Sequence, residues 1–159
     1  MTSNVKCKVV SISDIVNSEE AKQQFIGLVE EQWLEVDHRR KTSKLDVDFN
    51  KYMQMDELGV HFIILAYTDE ELVGYDSMFI SPTPHTGEIT ALTDSMFIKR
   101  TYRKGGLGTT MIKMAEEEAR SRGAKHIMVT FKNDSPHPEI VKDLGFFSYE
   151  TIYAKTLGD

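Results

Sequence analysis

The chain has 159 residues, of which 40% are hydrophobic and 28% charged, and this balance predicts one globular domain over residues 1–159 and excludes a disordered tail. No apolar run approaches the ~20 residues of a membrane span, and the first residues lack the apolar core of a signal peptide. The formal net charge of −6, with 19 basic against 25 acidic residues, argues against nucleic-acid binding through a basic face and is compatible with a cationic amine as ligand.

The first sixty residues are predicted to form a strand at 5–12, a helix that begins at Ser18 or a few residues earlier, and a shorter helix at 48–58. Ser18 precedes two glutamates, as N-cap residues often do, and apolar side chains recur at helical spacing from Phe25 onwards. Gly59 ends the shorter helix. This part of the chain is therefore predicted as strand, helix, helix.

The middle of the chain has the pattern of a hairpin followed by one more strand. Strands are predicted at 60–67 and 72–80, separated by four polar residues. The prolines and the glycine of 81–87 indicate a loop, and a strand at 88–98 then leads into a glycine-rich stretch.

The last third is predicted to form a helix at 107–122, a strand at 124–132, a short helix at 139–144 and a final strand at 146–156. Strands joined by a hairpin pair antiparallel, whereas the strands of a strand–helix–strand unit pair in parallel. The whole order, β, α, α, β, β, β, α, β, α, β, therefore predicts a mixed sheet with helices on both faces.

The glycine-rich stretch is Arg103-Lys104-Gly105-Gly106-Leu107-Gly108, between a strand and a helix. The first N–H groups of a helix have no partner within it, and the helix dipole adds partial positive charge, so such a turn predicts a site for a phosphate or pyrophosphate. It lacks the Gly-Lys-Ser/Thr of a P-loop, and Met111 stands where a dinucleotide fingerprint needs its third glycine. What remains is the spacing Arg-x-x-Gly-x-Gly, or, as the alternative, a glycine-rich surface turn.

This spacing, together with Ile98, Tyr102 and the later Leu144-Gly145-Phe146, resembles the acyl-CoA-binding signature of the GCN5-related N-acetyltransferase (GNAT) superfamily. The resemblance covers the second half of the chain well and the first half only in the order of elements. It implies an α/β (α+β) domain with the GNAT fold: a mixed, mostly antiparallel sheet of six to seven strands, helices on both faces and one parallel pair flanking the motif helix. It also implies acetyl-CoA (coenzyme A) as acyl donor.

The resemblance implies a set of cofactor-binding residues as well. The acyl carbonyl is expected against the backbone of Phe97 and Ile98, where the strand before the turn separates from its neighbour. Arg103 adds a cation or braces the turn, and Asn133 stands where relatives often have an Asn that contacts the cofactor arm. The pyrophosphate is expected on the turn and the first helical residues, which are Arg103, Lys104, Gly105, Gly106, Leu107, Gly108 and Thr109.

Transfer to an amine needs a general base, because an ammonium must lose a proton before its nitrogen can attack a thioester. Asp94 and Glu88 are the candidates, and Asp94 is preferred because acidic side chains late in this strand point toward the acceptor cleft in many relatives. Strand alternation predicts that Asp94 shares a face with Met96 and Ile98. The alternative for Asp94 is an edge carboxylate paired with a base, and Glu88 is expected near the strand start, further from the chemistry.

The general acid is where the sequence departs from the family pattern. Many relatives have a Tyr three residues before the Leu-Gly-Phe, and its hydroxyl protonates the CoA thiolate. Here Val141 holds that position and cannot donate a proton. Water must then act, or a side chain from elsewhere, for which Tyr149, His137 and Tyr102 are the candidates.

Acceptor-binding residues are expected in the first half of the chain. Trp33, Tyr52 and His85 lie in segments that flank the acceptor cleft in GNAT domains, although core packing is favoured for Trp33 because it lies on an apolar helical face. The basic cluster at 38–41 is interpreted as a solvated loop, with a wall of the active-site mouth as the alternative. These segments also resemble small GNAT proteins encoded by phages and prophages.

Together these features predict an N-acetyltransferase that moves an acetyl group from acetyl-CoA to a primary amine by direct transfer in a ternary complex. Cys7, on an early strand, is poorly placed as a nucleophile for a covalent route. The alternative is a catalytically weak or inactive GNAT-fold protein that binds acyl-CoA and acts as a sensor or partner-binding module, which Val141 favours. A third reading places the acceptor amine on a macromolecule.

Remaining expectations concern surroundings and partners. One cysteine cannot form an internal disulfide, which predicts a reducing, cytoplasmic location. The five histidines show no ligand spacing, so no metal site is predicted. The expected partner is a small-molecule or peptide amine, with no membrane or nucleic acid, and the resemblance allows a homodimer because relatives are often dimers.

Overall fold

The computed structural model describes residues 4–133, 135 and 139–158. Their strands form one sheet in the order β1-β2-β3-β4-β5. Neighbouring strands are antiparallel except for the parallel pair β4–β5, which confirms the predicted mixed, mostly antiparallel sheet. The strands span Lys6–Val10 (β1), His61–Tyr67 (β2), Leu72–Pro82 (β3), Ile89–Ile98 (β4) and Ala124–Met128 (β5).

The helices span Ile12–Val16 (α1), Glu19–Val36 (α2), Phe49–Glu57 (α3), Leu107–Ser121 (α4) and Glu139–Asp143 (α5). Single turns of 3-10 helix lie at His38–Lys41 and Arg100–Tyr102. The first three helices begin at side-chain caps, because Ser11, Ser18 and Asp48 each accept a hydrogen bond from a backbone N–H of the first turn. Among the described residues, no helix has both the length and the apolar character needed to cross a membrane.

Two apolar layers hold the helices against the sheet. On one face, Met111, Ala115 and Ala119 of α4 pack against strand residues such as Phe62 and Met78. On the other face, α1, α2 and α3 cover a second cluster, which includes Ile12, Phe25, Leu28, Ile63, Tyr75 and Phe97. The prediction of helices on both faces is confirmed.

The described residues form five strands, fewer than the six to seven predicted. The final strand predicted at 146–156 is absent, and residues 147–158 are exposed and have no regular secondary structure. The composition of a segment favours a strand only when a neighbour pairs with it and buries one of its faces, and neither occurs here. The short helix α1 was not predicted separately.

A β-bulge in β4 determines which way its polar residues point. In the β3–β4 register Ser77 opposes Ser95 and the next residue, Met78, opposes Thr93, so Asp94 is the extra residue on β4. Met96 packs in the α4 layer, whereas Asp94 contacts the opposite layer through α3. The expectation that Asp94 shares a face with Met96 and Ile98 is therefore wrong, because one extra residue resets the alternation of the strand.

Strands β4 and β5 separate part-way along their length. Their ladder ends at the pair Leu92–Met128, while β4 continues beside β3 up to Ile98. The last six residues of β4 therefore have a neighbouring strand on one side only, and a gap opens on the other side beside the start of α4.

Candidate active site

The glycine turn leads from this gap into α4. Gly105 and Gly106 have φ of 95° and 81°, in the left-handed region that favours glycine, and Gly106 is the N-cap of α4. No side chain among the described residues caps the helix. The backbone N–H groups of Leu107, Gly108 and Thr109 therefore lack a helical partner and are available to an anion.

Arg103 braces this turn. Its guanidinium donates to the Glu35 carboxylate at two points, Nη1 to Oε1 at 2.8 Å and Nη2 to Oε2 at 3.0 Å, and its Nε donates to the Ile98 carbonyl at 2.8 Å. The same group lies 5.3 Å from the centre of the Phe97 ring. The hydrogen bond from Arg103 lowers the pKa of Glu35, so this carboxylate is ionised at neutral pH. Arg103 therefore fixes the turn to the end of α2.

A second contact ties the turn to the β2–β3 hairpin. The Tyr102 hydroxyl donates to Glu71 Oε1 at 3.1 Å, and Lys99 Nζ donates to Glu71 Oε2 at 2.6 Å. The Tyr102 hydroxyl, a candidate general acid, therefore donates its hydrogen bond to Glu71 and not toward the gap.

A cavity of about 320 Å³ fills the gap between β4 and the start of α4, and we call it the turn-side cavity. Its walls are mostly apolar, and its polar lining comes from Arg103 with Glu35, Ser135 and Glu139. The lining residues are Glu35, Val36, Met96, Phe97, Ile98, Arg103, Gly108, Ile112, Phe131, Ser135, Glu139 and Ile140. It is a channel suited to a thin, mostly apolar ligand arm that ends at the glycine turn.

The backbone of β4 faces this cavity at alternate residues. The carbonyls of Met96 and Ile98 accept hydrogen bonds from the side chains of Gln32 and Arg103, so they point away from β3. Because the N–H and C=O of one strand residue point to the same side, the N–H groups of Met96 and Ile98 face the gap. The Phe97 carbonyl lies instead toward β3, only 2.9 Å from where a Cβ on Gly74 would stand.

A second, more polar cavity of about 390 Å³ lies between the sheet, α2, α3 and the loop that joins them, and we call it the polar cavity. Asp94 and Tyr52 line it together with Trp33 of α2. The loop contributes three carboxylates and two cations to the lining: Asp37, Asp46, Asp48, Arg39 and Lys44. Three residues predicted for acceptor binding or catalysis therefore share one cavity, and the basic cluster forms part of its wall.

The two cavities share a wall. At three places one residue lines the turn-side cavity and its chain neighbour lines the polar cavity. These pairs are Met96 with Ser95 on β4, Val36 with Asp37 at the end of α2, and Phe131 with Lys132 after β5. The two cavities therefore adjoin at these three places, one of which is next to the β4 bulge.

Asp94 stands at this wall with one oxygen bound on two sides. Its Oδ2 accepts from the Tyr52 hydroxyl at 2.6 Å and from the Ser77 hydroxyl at 2.9 Å. Burial, with Asp94 adding to it, raises the pKa of Tyr52 above its usual value, so Tyr52 remains a donor. The two donors hold this oxygen in a fixed position.

Gln32 connects α2 to β4 next to Asp94. Its Nε2 donates to the Met96 carbonyl at 3.2 Å, and its Oε1 accepts from the Tyr75 hydroxyl at 2.9 Å and the Ser95 hydroxyl at 2.8 Å. This set of bonds holds the backbone of β4 at the point where it leaves β5.

A cluster of charged residues lies at the end of α2. Asp37 is buried, and its carboxylate accepts hydrogen bonds from Nε and Nη2 of Arg39. Lys132 Nζ lies 3.6 Å from the same carboxylate. The hydrogen bonds from Arg39 lower the pKa of Asp37 to about 2. Two cations thus surround one carboxylate, and Arg39 also lies over the Trp33 ring, 5.4 Å from its centre.

The chain is similar to known proteins in both sequence and fold. A family model described as the acetyltransferase (GNAT) family matches residues 22–146, which is most of the chain. The chain belongs to the GNAT family of acetyltransferases. The enzyme class predicted from the sequence, an acyl-CoA-dependent N-acetyltransferase, is thereby confirmed. A search of curated proteins finds no significant match.

Solved structures of GNAT enzymes share the fold at low identity. An aminoglycoside acetyltransferase from an uncultured soil metagenomic sample, in complex with sisomicin, is 12% identical over 97% of both chains, with a TM-score of 0.70. Glucosamine-6-phosphate N-acetyltransferase from Arabidopsis thaliana is 14% identical over 98% of this chain and 99% of that one, with a TM-score of 0.68. Ribosomal-protein-alanine N-acetyltransferase from Brucella melitensis is 16% identical over 97% and 99%, with a TM-score of 0.65. The narrower resemblance to phage-encoded proteins stays a prediction.

Other residues predicted for the site of this GNAT chain lie outside both cavities. Glu88, before the start of β4, has its carboxylate bound to Lys125 at 2.6 Å and to His126 at 3.0 Å. Six strand residues at about 3.3 Å each place it about 20 Å along β4 from Asp94. His85, Asn133 and Tyr149 are exposed, and the Tyr149 ring contacts Phe147 edge-on. The candidate acid His137 lies outside the described residues.

The roles of four polar residues were not predicted from the sequence: Gln32, Glu35, His61 and Ser77. Gln32 interrupts the apolar face of α2, and His61 and Ser77 interrupt strands that are otherwise buried. A polar side chain in an apolar pattern needs a partner, and that signal could have singled out three of them. Nothing in the local sequence marks Glu35, since its partner Arg103 is 68 residues away.

Proposed function

We propose that this GNAT chain transfers an acetyl group from acetyl-CoA to a primary amine by direct transfer in a ternary complex. The observation that carries the proposal is the shared wall of the two cavities, with the Asp94 carboxylate on the side of the polar cavity. Donor and acceptor would enter from opposite sides and meet at β4. This arrangement suits two substrates bound at once, and Cys7 lines neither cavity.

The residues of the turn-side cavity fit acetyl-CoA. Gly105 and Gly106 have open space where a Cβ would stand, so phosphates can approach the free N–H groups of α4. The apolar channel along β4 suits the pantetheine arm, and the carbonyls and N–H groups of Met96 and Ile98 are the backbone groups that it would meet. When bound, acetyl-CoA supplies an acetyl group activated as a thioester.

The N–H groups that face the gap can also stabilise negative charge on the acyl oxygen during attack. From the sequence we expected Phe97 and Ile98 in this role. With the strand geometry now described, we assign it to Ile98 and Met96, because the Phe97 backbone faces β3. Phe97 keeps a different role, since its buried ring supports the Arg103 guanidinium.

Asp94 is the proposed general base. Its carboxylate would take a proton from the acceptor ammonium, after which the amine nitrogen forms a C–N bond to the acyl carbon and the C–S bond breaks. Tyr52 holds Asp94 through a 2.6 Å hydrogen bond and forms part of the acceptor wall with Trp33. Glu88 is a weaker candidate because its two oxygens are bound to Lys125 and His126, far along the strand.

The thiolate left by C–S cleavage needs a proton, and no tyrosine lines the turn-side cavity among the described residues. Val141 cannot donate one, and the exposed ring of Tyr149 contacts Phe147. We therefore assign this proton to water that enters the cavity. The valine at position 141 also favours the second candidate function, an acyl-CoA-binding protein with little or no turnover.

The test measures acetyl-CoA binding by calorimetry and CoA release with a panel of aminosugars, polyamines and short peptides. We expect binding, acceptor-dependent release, and a loss of at least about 100-fold in kcat for Asp94→Asn, the usual size of a general-base contribution. Glu88→Gln is the matched control and should keep wild-type kcat. Binding without release by any acceptor would favour the non-catalytic alternative, and no binding at all would overturn both.

A further inference from the structure

Behind Asp94, away from the polar cavity, lies a buried histidine. His61 on β2 is fully buried, with its ring between Tyr52 at 5.0 Å and Phe79 at 5.3 Å between centres. Its Nε2 lies 2.6 Å from the Ser77 hydroxyl, which is itself 2.9 Å from Asp94 Oδ2. No described residue bonds to the other ring nitrogen, Nδ1.

Counting protons decides how this chain of groups is oriented. A carboxylate cannot donate, so the single hydroxyl proton of Ser77 must point to Asp94. The Ser77 oxygen can then only accept from His61, and Nε2 must carry the ring proton. Burial lowers the pKa of His61, so the ring is neutral at physiological pH and Nδ1 is a bare acceptor.

Two donors therefore converge on one oxygen, and His61 stands behind one of them. Tyr52 and Ser77 both donate to Oδ2, and His61 orients the Ser77 hydroxyl. No described residue binds Oδ1 of Asp94, and Asp94 lines the polar cavity. A carboxylate fixed at one oxygen keeps the other in a constant direction, as a general base needs.

We propose that His61 and Ser77 are positioning residues for the transfer reaction, and that they hold Asp94 so that its Oδ1 receives the acceptor proton. This role rests on the proposed function, since it requires Asp94 to act as the base. Neither residue touches the substrate. The pair His61–Ser77 holds the Asp94 carboxylate from the core, and Tyr52 holds it from the cavity side.

The charges around Asp94 come from every element packed against it. The titratable groups with which it interacts are Tyr52 of α3, His61 of β2, Tyr75 of β3 and Arg39 of the 3-10 turn. Asp37, Lys132 and the loop carboxylates Asp46 and Asp48 share its cavity. Substitution of Ser77 or His61 leaves all of these cavity charges in place.

The kinetic arm compares Ser77→Ala and His61→Phe with wild type and with the conservative variant His61→Gln, whose amide can still donate to Ser77. We expect kcat to fall about tenfold in the first two, the loss that goes with one hydrogen bond to a charged group. The KM for acetyl-CoA should stay unchanged, because neither residue lines the turn-side cavity. His61→Gln should restore most of the activity, which general damage to the fold would not allow.

The second arm does not depend on activity. In protein labelled with ¹⁵N-histidine, the His61 signals, assigned by their loss in His61→Gln, should show a neutral ring with the proton on Nε2 at neutral pH. A proton on Nδ1 would overturn the arrangement. Wild-type kinetics in Ser77→Ala and His61→Phe beside an inactive Asp94→Asn would overturn the positioning role alone, whereas a wild type that binds acetyl-CoA without transfer overturns the proposed function and this role with it.

Discussion

The carboxylate of Glu35, at the end of α2, holds the guanidinium of Arg103 at two points, 2.8 and 3.0 Å. The two side chains are only 17% and 24% exposed, and Arg103 also binds the Ile98 carbonyl. One ion pair thus joins the helix that separates the two cavities to the turn expected to hold the pyrophosphate. A cation held this way shapes the turn more than it offers charge to a ligand.

The first prediction concerns this pair. Glu35→Gln should lower the free energy of unfolding by about 1–3 kcal/mol, because it leaves a partly buried guanidinium without its carboxylate. It should also weaken acetyl-CoA binding, since the turn loses its brace. Thermal melts and calorimetry check both effects, and Lys125→Met, which removes only an exposed ion pair with Glu88, should leave the melting temperature and the affinity unchanged.

The pair also has a pH dependence with a definite sign. Because Arg103 lowers the pKa of Glu35, the stabilisation is complete above the ordinary glutamate pKa of about 4.3 and is lost as pH falls through the lower folded value. Glu35→Gln should therefore be less stable than wild type at pH 7 and approach it in acid solution, once the pH has fallen through the lowered folded pKa of Glu35. An equal difference at both pH values would contradict this account.

The second prediction separates two glycines of the motif. Gly106 has φ of 81°, so Gly106→Ala should destabilise the chain by about 1–2 kcal/mol, the cost of a left-handed alanine, although its Cβ would meet no atom. Gly108 lies inside α4, and a Cβ there would make ordinary contacts of 3.5 Å with Ile140 and 3.6 Å with Ile98. Gly108→Ala should be neutral or stabilising by up to about 1 kcal/mol. Urea unfolding of both variants measures the contrast, and equal losses would refute it.

The third prediction concerns a buried acid outside the site. Asp76 on β3 is 1% exposed, no described residue bonds to either of its oxygens, and burial raises its pKa to about 8. It lies opposite Ile64 and Met96 in the register, so its neighbours in the sheet are apolar. Asp76→Val should therefore stabilise the chain at pH 7 by about 1–3 kcal/mol, because it removes a buried polar group that has no hydrogen-bond partner among the described residues.

The sign of the pH effect follows from proton binding. In the unfolded chain an Asp has a pKa of about 3.9, whereas the folded chain keeps Asp76 protonated up to about pH 8. The folded state holds the extra proton in between, so the free energy of unfolding should fall as pH rises across this window and level off above it. Asp76→Val and the isosteric control Asp76→Asn should both lose this slope. Only Asp76→Val, which also removes the buried polar group, should show the full increase in the free energy of unfolding. A wild-type slope in either variant would exclude Asp76 as its source.

The fourth prediction concerns Gln32, which binds β4 and β3 through three hydrogen bonds. Gln32→Met keeps the length of the side chain but releases the Met96 carbonyl and two hydroxyls, so we expect a loss of about 1–3 kcal/mol in the free energy of unfolding and a lower kcat. Gln23→Met on the same helix removes only a bond to Glu19 and should change neither. Similar stability and kcat in the two variants would mean that Gln32 does not hold the strand.

Part of this site was readable from the sequence because it depends on local rules. The glycine turn needs two left-handed residues and a free helix start, and Gly105, Gly106 and the pattern of α4 show both. Ser18 and Asp48 cap helices at the predicted places for the same reason. The prediction of a strand at 146–156 was wrong because composition does not show whether a neighbouring strand is available to pair with the segment.

Local patterns in the sequence suffice for the order of most elements, the position of the glycine turn and the family to which the chain belongs, since each depends on residues close together in the chain. The direction of Asp94 depends on the folded sheet, because one extra residue in β4 reverses the alternation of the strand. The partners of Asp94 depend on the fold as well, since they come from residues 42 and 17 positions away. Such contacts arise from the packing of helices on a sheet, and no local pattern records them.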